Sequence, residues 1–584
     1  MNQIVKCAIY PPIGIARVGN SPTGWFVGPE VPGCSTVPIG GYKDSDGRLK
    51  RQAAKFRVYG IDSEGNAVRE LTAKDAEIHW TVHLANKKGV WYRIRFAMDI
   101  SEAEPVSRRN PKHTRDRTEL IIDPGPRSVG PVHPGAKELF DTGSFLGKDV
   151  PLGEIRSDEM GRLLVLGGFG NSSSVSNKPI ESLDNEEWYD DNSDGPVTAQ
   201  VRIEGREIEV EPAWVIVAPP DFAPSIRSIV TIYDLAYQVA VKHFNYPDPE
   251  RVSFYRQVYP IFESLAKLQW VNAGIYLNLG WGATDYFLDP DTIKKLSDNS
   301  EKNKGFRRSI VEKFRNPDGT IFRRDALPPI FGDARDRQRK EQSPRDMLSV
   351  TQLQYSWLTR WADGLFESDF ERDASGPRRL EDLPLKDHAN ALTQAALENC
   401  QGGPFHPGCE APWAMRQRLM YASPFRIKHK PRGYLETDFG DELTPKTALS
   451  QDGPLNGSAA GDLTRWMALP WQVDAFTCGS GFEPLINPHL PTFWPARVPN
   501  HVLTKRSFAE MNAPFISNAQ SMKHFSHRQD WLRHNNSVDS TLDRLDQFMK
   551  EWFKLGIITR QSVPGGIGEL PAEVFVEMEN AYFP

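Results

Sequence analysis

The sequence predicts an α+β fold in a single large unit: a strand-rich N-terminal part with long loops, then helical middle and C-terminal parts. Three observations lead there. Apolar residues alternate with period two in much of the first 220 residues. From about residue 225 they shift to the three-and-four spacing of amphipathic helices. No stretch of biased composition divides the 584 residues, so 1–220 (β-rich), 221–400 (mainly helical) and 401–584 (loop-rich, with a late helix) are read as regions of one unit.

Taken in order, Glu77–Leu84 alternates Ile78, Trp80, Val82 and Leu84. Asn86-Lys-Lys-Gly89 reads as a turn, and Val90–Phe96 alternates again, which predicts a hairpin. Leu163–Leu166 and Trp214–Val217 read as short buried strands, and 104–134 as long Pro-rich connections. Val252, Tyr255, Val258, Phe262 and Leu265 predict a helix kinked at Pro260. Met347 to Leu365 and 386–400 predict two more, and the charged stretch 295–345 reads as a surface excursion. The last helix is expected from Ser537 as cap, through Leu542, Leu545, Phe548 and Trp552, to Gly556.

Composition excludes several classes. The chain carries 45 glycines and 46 prolines, about 16% against an average near 12%, which implies many turns without reaching the disordered range. Lys plus Arg number 70 and Asp plus Glu 76, a net charge of −6, so nothing marks a nucleic-acid partner. Mean hydropathy is −0.50. No apolar run approaches ~18 residues, so no transmembrane helix is expected. The N-terminus shows no charged region followed by an apolar one, so synthesis in the cytoplasm is expected, with export by a non-classical route left open. Five widely spaced cysteines make a disulfide framework an unsuitable reading.

Several motifs invite chemistry. Leu166-Gly-Gly-Phe-Gly170 follows a strand but lacks both dinucleotide spacing and a P-loop lysine; a tight turn with close backbone approach is expected. Asp190-Asp-Asn-Ser-Asp-Gly195 matches the first half of a calcium loop, but position twelve is Val201, which rejects an EF-hand. Cys400, His406, Cys409 and Glu410 cluster within eleven residues. They lack the paired knuckles of structural zinc and could equally line a pocket. Cys478 has Asp474 four residues before it and Trp466, Trp471 and Trp494 nearby.

These motifs, in this order, resemble the LodA-like quinoproteins, the family of L-lysine ε-oxidase and glycine oxidase. The resemblance rests on Ala8–Asn20, Gly167–Gly170, Trp188–Pro196, Pro219–Pro-Asp-Phe-Ala-Pro224, Gly402–Gly408 and Pro470-Trp-Gln-Val-Asp-Ala-Phe-Thr-Cys478. It implies a cofactor, cysteine tryptophylquinone (CTQ), made from Cys478 and Trp494, with Trp471 the alternative tryptophan. It implies Asp474 as the residue needed for cofactor formation and as catalytic base, His406 and Cys409 in the catalytic pocket, and Phe222 beside the substrate.

It further implies oxidation of a primary amine by O2, with release of hydrogen peroxide and ammonia. No flavin or metal would serve turnover, a separate flavin-dependent protein would mature the cofactor, and the enzyme would be a homo-oligomer without membrane or nucleic-acid partners. The lysine-bearing insertion of the lysine oxidase is missing between Cys478 and Trp494, where fifteen residues intervene without a Lys. A glycine-like substrate is therefore expected. Two alternatives remain at this stage: a CTQ-dependent decarboxylase or oxygenase, and a binding homologue without the crosslink.

Overall fold

Alternation in the first 220 residues resolves into a 14-stranded mixed sheet. The computed structural model describes residues 4–130, 136–336, 339–370, 379–406, 410, 412–431, 433–480, 489–537, 540–564 and 570–583. The main path through the sheet runs Arg127–Val129, Glu77–Val82, Ser193–Ile203, Ala213–Ala218, Ile13–Arg17, Arg51–Ile61, Leu163–Gly167, Gly153–Ser157, Lys137–Leu139. Its two end strands meet, Arg127 Nε donating to Leu139 O at 2.7 Å, so the sheet curls back on itself. Leu163–Gly167 and Ala213–Ala218 are buried throughout, as continuous apolar runs require.

The expected hairpin does not form. Glu77–Val82 pairs antiparallel with Ser193–Ile203 and Arg127–Val129, and 90–96 adds no strand. The intervening Asn86-Lys-Lys-Gly89 has another task. Asn86 Nδ2 donates to the Asp190 and Asn192 carbonyls at 3.0 and 2.8 Å, and Lys88 Nζ reaches Asp190 Oδ2 at 2.6 Å. Buried polar groups must find partners, and here that need overrides turn propensity.

The helical middle follows the apolar spacing: Ile232–Phe244 with a Thr231/Asp234 capping box, Tyr259–Lys267, Gln352–Ala362 and Leu385–Glu398. At Pro260 the helical run changes type, from a π-helix over Phe254–Val258 to an α-helix. The proline lies in the first turn of Tyr259–Lys267, where a missing N–H is harmless. The stretch 295–345 is no mere surface excursion. Helix Lys304–Glu312 buries Ile310 and Arg307, and Arg315 donates to the Pro328 and Ala326 carbonyls inside the protein.

The late helix is Thr541–Glu551, capped by Ser540, whose side chain accepts from the Asp543 backbone, and not by Ser537. A four-stranded sheet absent from the sequence reading closes the C-terminal part, in the order Arg528–Asp530, His501–Thr504, Glu573–Met578, Ile557–Ser562.

The segment Asp190–Asp194 is fully buried. It is a buried acceptor hub between the strands Trp188–Asp190 and Ser193–Ile203. Asp190 pairs with Lys88 and accepts from the Trp471 backbone N–H at 2.9 Å. Asp191 accepts from Phe169 and Asn171 N–H at 2.7 and 3.0 Å. Asp194 accepts from Trp214 Nε1 at 3.0 Å and from Thr464 N at 2.7 Å. The Gly-rich turn makes these approaches possible. A Cβ on Gly168 would stand 2.6 Å from the Asp191 carboxylate, and Gly170, at φ +74°, would meet Trp552 at 2.2 Å.

Asp190 pairs with the buried Lys88 ammonium, so Asp190→Ala leaves that charge without its carboxylate. A loss of about 3–5 kcal/mol is expected, read as a lower denaturant midpoint than wild type; an unchanged midpoint refutes the hub.

Candidate active site

Helix Trp471–Ser480 starts on Asp190, whose carboxylate satisfies the orphan N–H of Trp471 and complements the helix dipole. Gln472 Nε2 donates to Gly170 O at 3.0 Å, a second tie to the Gly-rich turn. Residues 471, 474, 475 and 478 share one helix face by their spacing. Asp474 and Cys478 are one turn apart, with Cys478 Sγ 3.8 Å from Asp474 Oδ1.

The loop carrying Trp494 is laced to this helix. Thr492 Oγ1 donates to Cys478 O at 3.0 Å, and Thr492 O accepts from Phe331 N. Trp494 Nε1 donates to Pro404 O at 3.0 Å, which fixes the indole against the Gly402–Gly408 loop. That loop brings His406 between the two. Its ring lies 3.9 Å from the Phe493 ring and 6.0 Å from Trp494, edge-on. Its Nδ1 is 3.0 Å from Asp474 Oδ1 and 3.7 Å from Cys478 Sγ. Asp474, Cys478, His406 and Trp494 therefore converge, as the sequence reading requires. Asp474, Cys478 and Trp494 are buried.

Burial is the chief influence on Asp474 and pushes its carboxyl up to about 6, while the His406 hydrogen bond opposes the rise. Oδ2 of Asp474 has no hydrogen-bond partner among the described residues. Inside a protein, such an orphaned oxygen is a group waiting for a proton or a ligand.

Cys409 lies outside the described residues. Cys400 and Glu410, its companions in the cluster noted in the sequence, belong elsewhere. Arg17 Nη2 donates to Cys400 Sγ at 3.6 Å, and Glu410 is bridged between Arg17 at 2.8 Å and Arg497 at 3.6 Å. The His/Cys/carboxylate group that does form is His406, Asp474 and Cys478, whose candidate ligand atoms lie within 4.8 Å of one another.

Phe222 is buried and edges Trp531 at 4.9 Å. It lines a small pocket with Trp471, Ala475, Val498, Arg497 and Glu410, on the Trp471/Ala475 face of the helix. Sequence reasoning missed the Arg17–Glu410–Arg497–Asp221 network, in which Arg497 meets Asp221 at 3.1 Å. Arg17 and Asp221 each sit inside a quoted motif, but no local spacing says that they meet Arg497 and Glu410. Lys88 carried no signal at all.

Two family models match the chain: "L-Lysine epsilon oxidase N-terminal" over residues 10–217 and "L-lysine epsilon oxidase C-terminal domain" over residues 331–494. The second spans His406, Asp474, Cys478 and Trp494. An L-lysine 6-oxidase from Marinomonas mediterranea is 29% identical over 548 residues, covering 81% of this chain and 71% of that protein. The solved structure of the L-Lys epsilon-oxidase from the same organism superposes with a TM-score of 0.72 at 24% identity, covering 99% of this chain and 95% of that one. Its Schiff base intermediate with L-Lys gives 0.71 at the same identity and coverage. No helix among the described residues is long and apolar enough to cross a membrane.

Proposed function

Because the chain belongs to the L-lysine ε-oxidase (LodA-like) family, whose members are CTQ-dependent oxidases, we propose that it oxidises a primary amine at a quinone built from its own Cys478 and Trp494. The convergence of Cys478, Asp474, His406 and Trp494 in one buried place carries this reading. The residues fit the group. A thiol and an indole lie in the same core cluster, their chains joined by the Thr492–Cys478 hydrogen bond, beside a carboxylate with one oxygen unengaged.

Such a quinone supplies an electrophilic carbonyl for a primary amine and a two-electron sink that O2 refills. The balanced outcome is amine plus O2 plus water to carbonyl compound, ammonia and hydrogen peroxide. Asp474 takes the proton from the carbon bearing the amine, at Oδ2, because Oδ1 is engaged with His406. His406 holds the carboxylate in that orientation through Nδ1. Phe493, tilted against His406 with ring centres 3.9 Å apart, and Trp471 keep water away from the base. A flavin-dependent maturation protein fits a chain that shows no dinucleotide motif of its own.

A small, glycine-like α-amino acid is the proposed substrate. Phe222, Trp471, Val498 and Trp531 give the pocket an apolar wall, and Phe222 offers no hydroxyl to a distal amine. Glu410, the carboxylate in that wall, is already bridged between two arginines. Among the described residues a long ammonium side chain would find no free acid there, and a buried unpaired charge is costly.

Tryptic mass spectrometry of mature protein should show Cys478 and Trp494 in one crosslinked pair, two oxygens heavier and four hydrogens lighter than the separate peptides. Finding both peptides unmodified, in protein that consumes O2 with an amine, removes the quinone assignment. Asp474→Asn should lower kcat by about 10²–10⁴-fold. In wild type the base form is the carboxylate, so kcat should climb as pH rises through about 6, and a flat profile across that window excludes Asp474 as base. In a peroxide assay across amino acids and amines, glycine and small apolar amino acids should give the highest kcat/KM. Lysine ahead by a large factor overturns the substrate proposal alone.

A further inference from the structure

Before any crosslink forms, the same three side chains have the arrangement of a metal site. Cys478 Sγ, His406 Nδ1 and Asp474 Oδ1 form a triangle with edges of 3.7, 3.8 and 3.0 Å. Ligands at ordinary zinc distances, about 2.3 Å for sulfur and about 2.0–2.2 Å for nitrogen and oxygen, stand roughly 3.4–3.6 Å apart in a tetrahedron. The two longer edges close and the shorter one opens by a few tenths of an ångström to meet that geometry. Helix spacing supplies two of the ligands, one turn apart, and a separate loop supplies the third.

A second observation points the same way. Asp474 is fully buried and its Oδ2 has no hydrogen-bond partner among the described residues. A thiolate, a carboxylate and a neutral imidazole around a divalent ion sum to zero charge, the arrangement a buried site tolerates best. His406, whose side chain is 17% exposed, gives an ion its way in.

We propose that the uncrosslinked chain binds one borderline-soft divalent cation of the zinc class at Cys478, His406 and Asp474, and that bound metal and crosslinking exclude each other. Binding releases the thiol proton to solvent and forms a metal–sulfur bond. The sulfur lone pair and the Asp474 carboxylate are then engaged with the ion, so the thioether cannot form until it leaves. No electron moves in this exchange. Once sulfur is a thioether it is a poor, uncharged ligand, and the mature protein has lost the site. This inference concerns the precursor and stands on the three ligands alone; it does not need the quinone to be the product.

The test uses Trp494→Phe, which keeps the ligands and cannot crosslink, and in parallel the wild-type chain produced without a maturation partner and shown unmodified by intact mass. If the variant does not fold, the unmodified wild type carries the experiment. Titration with Co2+ should give one equivalent bound and a thiolate-to-cobalt charge-transfer band, displaced by Zn2+. Cys478→Ser should abolish the band, and His406→Ala and Asp474→Asn should each weaken binding at least tenfold. Absence of the band, or its persistence in Cys478→Ser, overturns the proposal. Added Zn2+ should also lower the yield of crosslinked peptide in a maturation mixture, with chelator restoring it. Crosslinking unaffected by saturating Zn2+ refutes the exclusion while leaving the Cys478–Trp494 assignment in place.

Discussion

A single buried ion pair organises this molecule. Lys88 and Asp190 are both fully buried, 2.6 Å apart, and the carboxylate also accepts the first N–H of the helix that carries Asp474 and Cys478. Burial pulls the Lys88 ammonium down, and Asp190 is what favours its charged form. Two charges removed from water repay that removal only when every remaining lone pair and proton has a partner. Lys88 donates further to Ala468 O, and Asp190 Oδ1 accepts from Asn86. The pair thus clamps the curled N-terminal sheet to the segment leading into the helix. The positions of Asp474 and Cys478 follow from where that helix begins.

From that origin the chemistry is arranged by short reaches. One helical turn separates Asp474 from Cys478, and two hydrogen bonds bring in the neighbouring loops, Thr492 to Cys478 and Trp494 to Pro404. Burial, which raises the Asp474 carboxyl, also sets the sign of its effect on stability. A native carboxyl that titrates at about 6 binds protons more readily than the unfolded chain does. Its contribution is therefore fully present below the ordinary carboxylate value and is lost as pH rises through about 6. If Asp474 is the base proposed above, its working form is the one the fold holds less willingly.

Much of this was legible in the sequence where neighbours along the chain are also neighbours in space. The strands at 163 and 213, the helices at 352 and 385, and the Asp474/Cys478 pair all obey local periodicity. The failures have a common cause. The 86–89 turn looked like a hairpin because its residues favour turns, but its side chains serve Asp190, about a hundred residues away. Ser537 and Ser540 both suit a cap, and Asp543 at the third helical position favours Ser540. The C-terminal sheet brings Arg528–Asp530 and His501–Thr504, which helices separate along the chain, beside the pair Ile557–Ser562 and Glu573–Met578, and the Arg17–Glu410–Arg497 bridge joins three distant segments. Pairing of that kind leaves no trace in spacing. His406 and Phe222 were reached through resemblance, and the structure sets His406 against Asp474 while Phe222 lines a pocket with Trp471 and Ala475.

The lacing of the Trp494 loop to the end of the Cys478 helix also bears on endurance. Joining those two residues, as proposed, would close a ring around the fifteen residues between them. By analogy with a disulfide, a ring of that size removes unfolded-state freedom worth roughly 3 kcal/mol. A carbon–sulfur bond to an indole, unlike a disulfide, is not undone by cellular thiols. Such a staple would withstand reducing conditions under which disulfides do not last, and the proposed catalytic group would be a covalent part of its own scaffold.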